Sequence, residues 1–276
     1  MMIVKIGGGE AINLRGIVAD LSALDESFVI VHGANALRDT LADTLGKSKK
    51  ILTSVSGHTS VYSDSDALDV MMMAYAGLRN KRLVELCQQH GVNAVGLTGL
   101  DGRCVRGKRN TGIRVRDGGK VKIVRDLSGK PRFVNVHFLT LLLGEGYCPV
   151  LTVPILDETG AAINTENDEV VRVLAGALEA DTVIQLIEAP GFLDDPENPQ
   201  SLVPRLTSAD LAMREEQTEG RMKRKLLALR KMLDQTNVRI LIGDGRTGHP
   251  IRDVLAGKGT TVENGTIKME NVRFGT

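Results

Sequence analysis

Short runs of β-branched and apolar residues alternate along the chain with longer stretches whose apolar positions recur every three to four residues. The runs at 3–6, 28–31, 94–97, 149–153, 182–186 and 239–242 predict strands. Helical periodicity predicts helices over 15–24, 35–45, 67–90, 135–146, 167–179 and 217–235. Such alternation implies an α/β fold, a largely parallel sheet with helices on both faces. Residues 103–125 break the pattern and predict a hairpin, 103–116 against 120–125, turning at Asp117-Gly118-Gly119. The passage 188–204, with Pro190, Pro196, Pro199 and Pro204, predicts a loop.

Composition narrows this picture. A chain of 276 residues, 42% hydrophobic, holds one large α/β unit or two lobes sharing a sheet. Its longest apolar runs fall far short of the roughly 20 residues of a membrane span. The start, Met-Met-Ile-Val-Lys-Ile-Gly-Gly-Gly, reads as a strand entering a glycine turn and not as a secretion signal, so a cytoplasmic location is expected. Cys87, Cys104 and Cys148 are scattered and predict neither a disulfide framework nor a zinc site.

Candidate chemistry gathers at the strand ends. Gly7-Gly8-Gly9 after the first strand fits neither a dinucleotide fingerprint nor a P-loop. Consecutive glycines there either let backbone N–H groups approach an anion or simply make a tight connection. Lys5, two residues upstream, adds charge at the same place. Gly220-Arg-Met-Lys-Arg-Lys225 opens a cation-rich helix in which Lys225 is either a second ammonium for phosphoryl transfer or part of a solvated face. Asn164 and Asp168 precede another helix. Asp168 either orients the lysines or caps that helix.

Several motifs together carry a resemblance: Lys5-Ile-Gly-Gly-Gly, Val31-His-Gly, the segment 93–102, Ala162-Ile-Asn-Thr165 with Asp168, Ala189-Pro-Gly-Phe-Leu193, Gly220 to Lys225, and Gly257-Lys-Gly-Thr260. On these the chain resembles the amino acid kinase family over nearly all of residues 2–262, within its acetylglutamate-kinase-like branch. Thr53 to Ser60, Gly99 to Arg103 and Gly243 to Pro250 point further, to kinases acting on an amino acid held by a LysW-type amino-group carrier protein.

The resemblance implies a three-layer αβα sandwich whose two lobes share one sheet. Residues 1–180 would form the acceptor and dimerisation lobe and 181–276 the ATP lobe. It implies catalytic roles for Lys5, Lys225 and Asp168, and phosphate binding by Gly7, Gly8, Gly9 and Gly33, with Gly8 and Gly33 offering N–H groups. Gly33, Ala34, Asn164 and Val61 would line the acceptor site. Pro190, Gly191, Leu193, Gly243, Asp244 and Arg246 would border ATP. Mg²⁺ would travel on the nucleotide, without a protein-built metal site, and the chain would form a homodimer. Two positions depart from the family: Ala34 follows His32-Gly33 where a second glycine is usual, and Val61 replaces the arginine that pairs with the acceptor's α-carboxylate. The departure at Val61 implies an unusual acceptor, another cation such as Arg79 or Lys81 in that arginine's place, or the loss of acceptor binding.

Charge bears on the acceptor. The whole chain balances at +1, yet residues 103–125 hold nine basic residues and one acid. Arg106, Lys108, Arg109, Arg114, Arg116, Lys120 and Lys122 are accordingly expected to meet an acidic carrier protein, the alternative being an edge hairpin kept cationic against self-pairing. Without Phe, Tyr or Trp in the hairpin, nucleic acid is not expected. The sequence thus points to ATP-dependent phosphorylation of the side-chain carboxylate of carrier-bound 2-aminoadipate or glutamate. The alternatives are an N-acetyl-L-glutamate kinase and a catalytically impaired nucleotide-binding homologue.

Overall fold

A computed structural model describes residues 1–47, 49–55, 57, 59–117, 120–218, 220–236 and 238–264. The turn glycines Gly118 and Gly119, the side chains of Arg221, Met222 and Arg224, and residues 265–276 lie outside the described residues. The chain lays down β1 (Met2–Ile6), α1 (Leu14–Leu21), β2 (Phe28–His32), α2 (Asn35–Thr44), and a short hairpin of β3 (Ile51–Thr53) and β4 (Thr59–Val61). Then α3 (Ser65–Met71) runs through a π-helical stretch (Met72–Arg79) into α4 (Asn80–Gln89) and β5 (Ala94–Thr98). Next come β6 (Val105–Arg109), β7 (Ile113–Asp117), β8 (Lys120–Val124), β9 (Gly129–Val134), α5 (Val136–Gly144) and β10 (Cys148–Thr152). Strands β11 (Ile155–Leu156) and β12 (Ala162–Ile163), α6 (Asn167–Ala177) and β13 (Thr182–Ile187) follow. The last part holds β14 (Arg205–Leu206), α7 (Ser208–Gln217), α8 (Gly220–Gln235), β15 (Arg239–Asp244), α9 (Pro250–Leu255) and β16 (Thr260–Val262).

Eight strands form one sheet in the order β14-β16-β15-β13-β1-β2-β10-β5, parallel except where β15 meets β16. β1 joins the two halves, pairing with β2 on one side and β13 on the other. The period of two along a strand divides its side chains between two cores. Ile3, Val29, Val31 and Val183 pack with Val170 and Leu174 of α6 and Leu226 and Leu229 of α8. Met2, Val4, Ile6, Ile30 and Ile184 pack with Ile17 of α1, Leu83 of α4 and Ile251 of α9. The central strands are buried on both faces, which is why they read as unbroken apolar runs. Lys5 shares the face of Ile3, under α6. The cysteines are buried and unpaired, and no helix among the described residues is long and apolar enough to cross a membrane.

The basic region differs from its expected single hairpin. Only β7 and β8 pair as a hairpin, whereas β6 pairs antiparallel with β9. Asn110-Thr-Gly112 interrupts the first strand. In β6, Gly107 lies so close to β9 that a Cβ would stand 2.3 Å from the Lys130 carbonyl oxygen.

Candidate active site

Because the central strands run parallel, their C-terminal ends open on one edge, where the following loops converge. The glycine turn after β1 meets the start of α2 there. A Cβ on Gly8 would lie 2.1 Å from Asn35 Oδ1 and 2.6 Å from the backbone nitrogens of Ala34 and Asn35. The close approach therefore requires glycine at position 8. The Ala36 N–H donates to the Gly8 carbonyl, tying the two turns together. The expected phosphate donors need correction: the Gly7 N–H donates to the Leu186 carbonyl and the Gly33 N–H to the Ile6 carbonyl, each at 2.9 Å. Both groups are spent in backbone bonds, so Gly33 contributes room beside Gly8 and no donor. The N–H groups of Gly8 and Gly9 have no hydrogen-bond partner among the described residues. The carboxylate of Glu188, which accepts from the Ala11 N–H at 2.7 Å, lies against Gly9. That negative charge favours Gly8 as the place for an anion.

Lys5, Asp168 and Lys225 come together. Lys5 Nζ stands 2.9 Å from Asp168 Oδ1. α8 packs along α6 and brings Lys225 close enough to act on the same carboxylate. Burial opposes ionisation of Asp168, but the charges of Lys5 and Lys225 and the Lys5 hydrogen bond outweigh it and hold the carboxyl below its usual range. Asp168 is not the helix cap. That position belongs to Glu166, whose side chain makes no capping bond.

Asn164 and Val61 share the wall of a cavity of about 430 Å³ between α2, the β3–β4 hairpin and α3. Asn164 Nδ2 donates to Ser63 Oγ at 2.9 Å. Gly33 and Ala34 are not in that wall, and Ala34 is buried at the start of α2. Neither Arg79 nor Lys81 lines it. The charge of Arg79 bears on His32, and Lys81 Nζ donates to the Gly96 carbonyl beside β5. His32 is a structural imidazole: burial, aided by the Arg79 charge, pushes its pKa down to about 3, and its Nε2 faces Asn80 Nδ2 at 3.0 Å.

On the β13–β15 side, Pro190, Gly191 and Leu193 follow β13. A Cβ on Gly191 would meet Leu202 at 2.7 Å and the Thr260 hydroxyl at 2.8 Å. The Phe192 N–H donates to that hydroxyl at 2.8 Å. Gly243 and Asp244 end β15. Asp244 accepts from the Arg246 N–H, Nε and Nη2 at 2.7 to 3.0 Å, and these bonds hold its carboxyl low. The loop after β15 reaches the start of α1, where the N–H of the N-cap residue Asn13 donates to the Gly245 carbonyl. No group of three His, Cys, Asp or Glu side chains among the described residues could hold a metal ion.

The seven expected basic residues lie on two separate ladders, Arg106, Lys108 and Arg109 on β6 and the others on β7 and β8. All are exposed except the half-buried Arg109, whose Nε donates to the Asp126 carbonyl. β7 abuts the β3–β4 turn, with the Val55 N–H donating to the Arg114 carbonyl at 2.8 Å. The charged surface therefore meets the hairpin whose Val61 lines the cavity. Two features escaped the sequence reading. Phe133 on β9 stands exposed beneath the Arg106 guanidinium, and Arg38 with Asp39 lines the cavity from α2.

Comparison with known proteins agrees with this architecture. A LysW-aminoadipate kinase of Deinococcus radiodurans is 40% identical over 95% of this chain and 91% of its own length. A LysW-aminoadipate kinase of Thermus thermophilus is 38% identical over 95% of this chain and 100% of its own. An acetylglutamate kinase of Methanopyrus kandleri is 31% identical over 95% of this chain and 100% of its own. Among solved structures, the N-acetylglutamate synthase of Neisseria gonorrhoeae superposes with a TM-score of 0.76 at 19% identity over 96% of this chain. The present chain spans only 60% of that protein's length. Giardia carbamate kinase gives 0.65 at 12% identity, over 95% of this chain and 98% of its own. These two show a shared fold. The model of the amino acid kinase family matches residues 1–244, and with those relatives it establishes that this chain belongs to the amino acid kinase family and is a kinase.

Proposed function

We propose that the protein transfers the γ-phosphoryl group of ATP to the side-chain carboxylate of 2-aminoadipate or glutamate held by an acidic amino-group carrier protein. The carboxylate is already ionised near neutral pH, so the step needs no general base. Its oxygen forms the new bond to phosphorus while the bond to the bridging oxygen breaks. ADP leaves with that electron pair, and an acyl phosphate remains on the carrier-bound amino acid. Catalysis then rests on position and charge. Lys5 and Lys225 flank the travelling phosphoryl group, Asp168 keeps both ammonium groups oriented, and the Gly8 N–H donates to a phosphoryl oxygen. Residues 1–180 supply the acceptor side and 181–276 the nucleotide side, with Pro190 to Leu193 and Gly243 to Arg246 bordering ATP. Mg²⁺ would be held by the ATP phosphates and would lessen their charge.

The observation that carries the carrier reading is the junction of β7 with the β3–β4 turn. A protein docked on the cationic strands would deliver a tethered amino acid to the adjoining cavity. The same reading includes a homodimer, supported by the exposed Met73 and Leu78 on the π-helical stretch beside the edge strand β5. Trapping of the acyl phosphate by hydroxylamine provides the test. The aminoadipate- or glutamate-loaded carrier should yield hydroxamate and free N-acetyl-L-glutamate should not. The reverse result would assign the free substrate, and ATP binding without hydroxamate from either acceptor would mark a homologue that has lost catalysis.

A further inference from the structure

The cavity that holds Val61 and Asn164 carries an unbalanced charge. Four cations line it, Arg38, Lys47, Lys49 and Lys50, against three carboxylates, Asp39, Asp64 and Asp66. Lys47 Nζ pairs with Asp66 at 2.6 Å, and Lys50 Nζ lies 3.9 Å from Asp64. Asp39 is left to serve two cations. Its Oδ1 accepts from Arg38 Nε at 2.8 Å and Nη2 at 2.6 Å, and its Oδ2 accepts from Lys49 Nζ at 2.7 Å. Arg38 Nη1 makes no hydrogen bond among the described residues, although the side chain is only 13% exposed. A largely buried guanidinium that shares its one carboxylate is short of an anion.

Its position fixes what that anion could be. Arg38 stands one turn, about 5.4 Å, into α2 from Ala34, and Ala34 packs on Gly8 at the glycine turn. Helical side chains lean toward the helix N-terminus. The buried Tyr75 hydroxyl feels both the Arg38 charge and the Ala34 backbone, in keeping with that direction. An acceptor with its reacting carboxylate near Gly8 would thus bring a second carboxylate, a few carbons away, to Arg38. An arginine fork matches a carboxylate better than the point charge of a lysine.

We propose that Arg38, oriented by Asp39, grips the second carboxylate of a five- or six-carbon dicarboxylic amino acid and selects acceptors that carry one. The inference rests on the acceptor reading above. Two conjugates separate the possibilities: 2-aminoadipate joined to the acidic carrier through its α-amine, and the same conjugate with its α-carboxylate converted to carboxamide. Binding by calorimetry and hydroxamate formation are both measured. The parent protein should prefer the carboxylate conjugate by about 10- to 100-fold in Kd and in kcat/KM. Arg38→Met should abolish the preference, chiefly through a higher KM for the carboxylate conjugate, while Arg38→Lys should keep part of the preference. An unaltered ATP affinity and melting temperature would show that both variants fold. Turnover with equal use of the two conjugates, or a preference that survives in Arg38→Met, overturns the assignment of Arg38 and leaves the kinase reading intact. Failure of both conjugates to bind overturns both.

Discussion

Lys5 Nζ lies 2.9 Å from Asp168 Oδ1 at the seam between β1 and α6, in side chains only 9% and 15% exposed. Removing the carboxylate would leave a largely buried ammonium beside Lys225 with no counter-charge. For Asp168→Asn we expect a loss of about 3 kcal/mol in urea unfolding and a fall in turnover of roughly 100-fold or more. The variant should also gain more melting temperature from ATP than the parent does, since the triphosphate supplies the missing anion. An equal gain in both proteins would argue against a shared phosphate site. The depressed carboxyl pKa adds a sign to the pH dependence. It contributes stability at pH values above the unfolded carboxylate range, and that stability is lost as pH falls through the folded value.

Lys225 acts on the same carboxylate from an exposed position on α8. In the proposed mechanism its removal takes a charge from the transferring group, and an exposed side chain can be removed without opening the core. Lys225→Ala should keep its stability within about 0.5 kcal/mol and lose roughly 100-fold or more in kcat, with a smaller change in the ATP binding constant. Stopped-flow nucleotide binding beside steady-state turnover separates the two effects. Undiminished turnover would remove Lys225 from the proposed chemistry.

The turn glycines offer a comparison with an internal control. A methyl on Gly8 would meet backbone nitrogen at 2.6 Å, whereas one on Gly144 meets nothing within 4 Å. Backbone cannot swing aside as a side-chain tip can. Gly8→Ala is expected to destabilise by about 1–3 kcal/mol and to weaken ATP binding. Gly144→Ala, near the end of α5, should be neutral or gain up to about 1 kcal/mol from reduced chain entropy. Denaturant melts of both variants read the contrast directly.

Much of this architecture is legible from the order of residues alone, for a definable reason. β1, β2, β10, β13 and β15 are covered on both faces, so their apolar runs have no polar interruptions to blur them. α7 and α9 are short and carry few core residues, so they leave little periodic signal. The pairing of β6 with β9 is invisible for another reason. Val105-Arg-Gly-Lys-Arg109 specifies an alternating strand but not its partner. Residue types at the site were readable, because Gly-Gly-Gly after a strand and a distant lysine-rich helix are unusual. Their meeting depends on α6 crossing over β1, which no local pattern encodes. Arg38 and Asp39 sit on the polar side of α2 and resemble any solvated pair until the β3–β4 hairpin encloses them.

His32 gives a pH dependence separate from that of the Lys5–Asp168 pair. Its folded pKa of about 3 lies below the unfolded value near 6.5, so the unfolded chain takes up a proton that the folded chain refuses. Stability should therefore decline as pH drops from 6.5 toward 3, by about 1 kcal/mol per pH unit. Replacement by glutamine, which can still meet Asn80, should flatten the slope between pH 6.5 and 4.5, above the titration of Asp168. Urea titrations at half-unit pH intervals would reveal it, and an unchanged slope would mean that the imidazole can be protonated in place.

The cationic strands make the most specific claim about a partner. Arg116 on β7 and Lys120 on β8 are both exposed to solvent. Surface charge of this kind governs encounter more than chemistry. Reversing both residues to glutamate should slow association with an acidic carrier by roughly 10-fold or more at low salt, seen as a lower kcat/KM for the carrier-bound acceptor. ATP affinity and single-turnover rate at saturating carrier should not change. Raising the ionic strength shortens the Debye length to about 3 Å at 1 M, so the gap between variant and parent should close as salt rises. A gap that persists at high salt would indicate lost contacts or altered structure in place of lost steering. No gap at any salt would place the carrier on another face, and the charge on β7 and β8 would then serve to keep their edges from pairing with other chains.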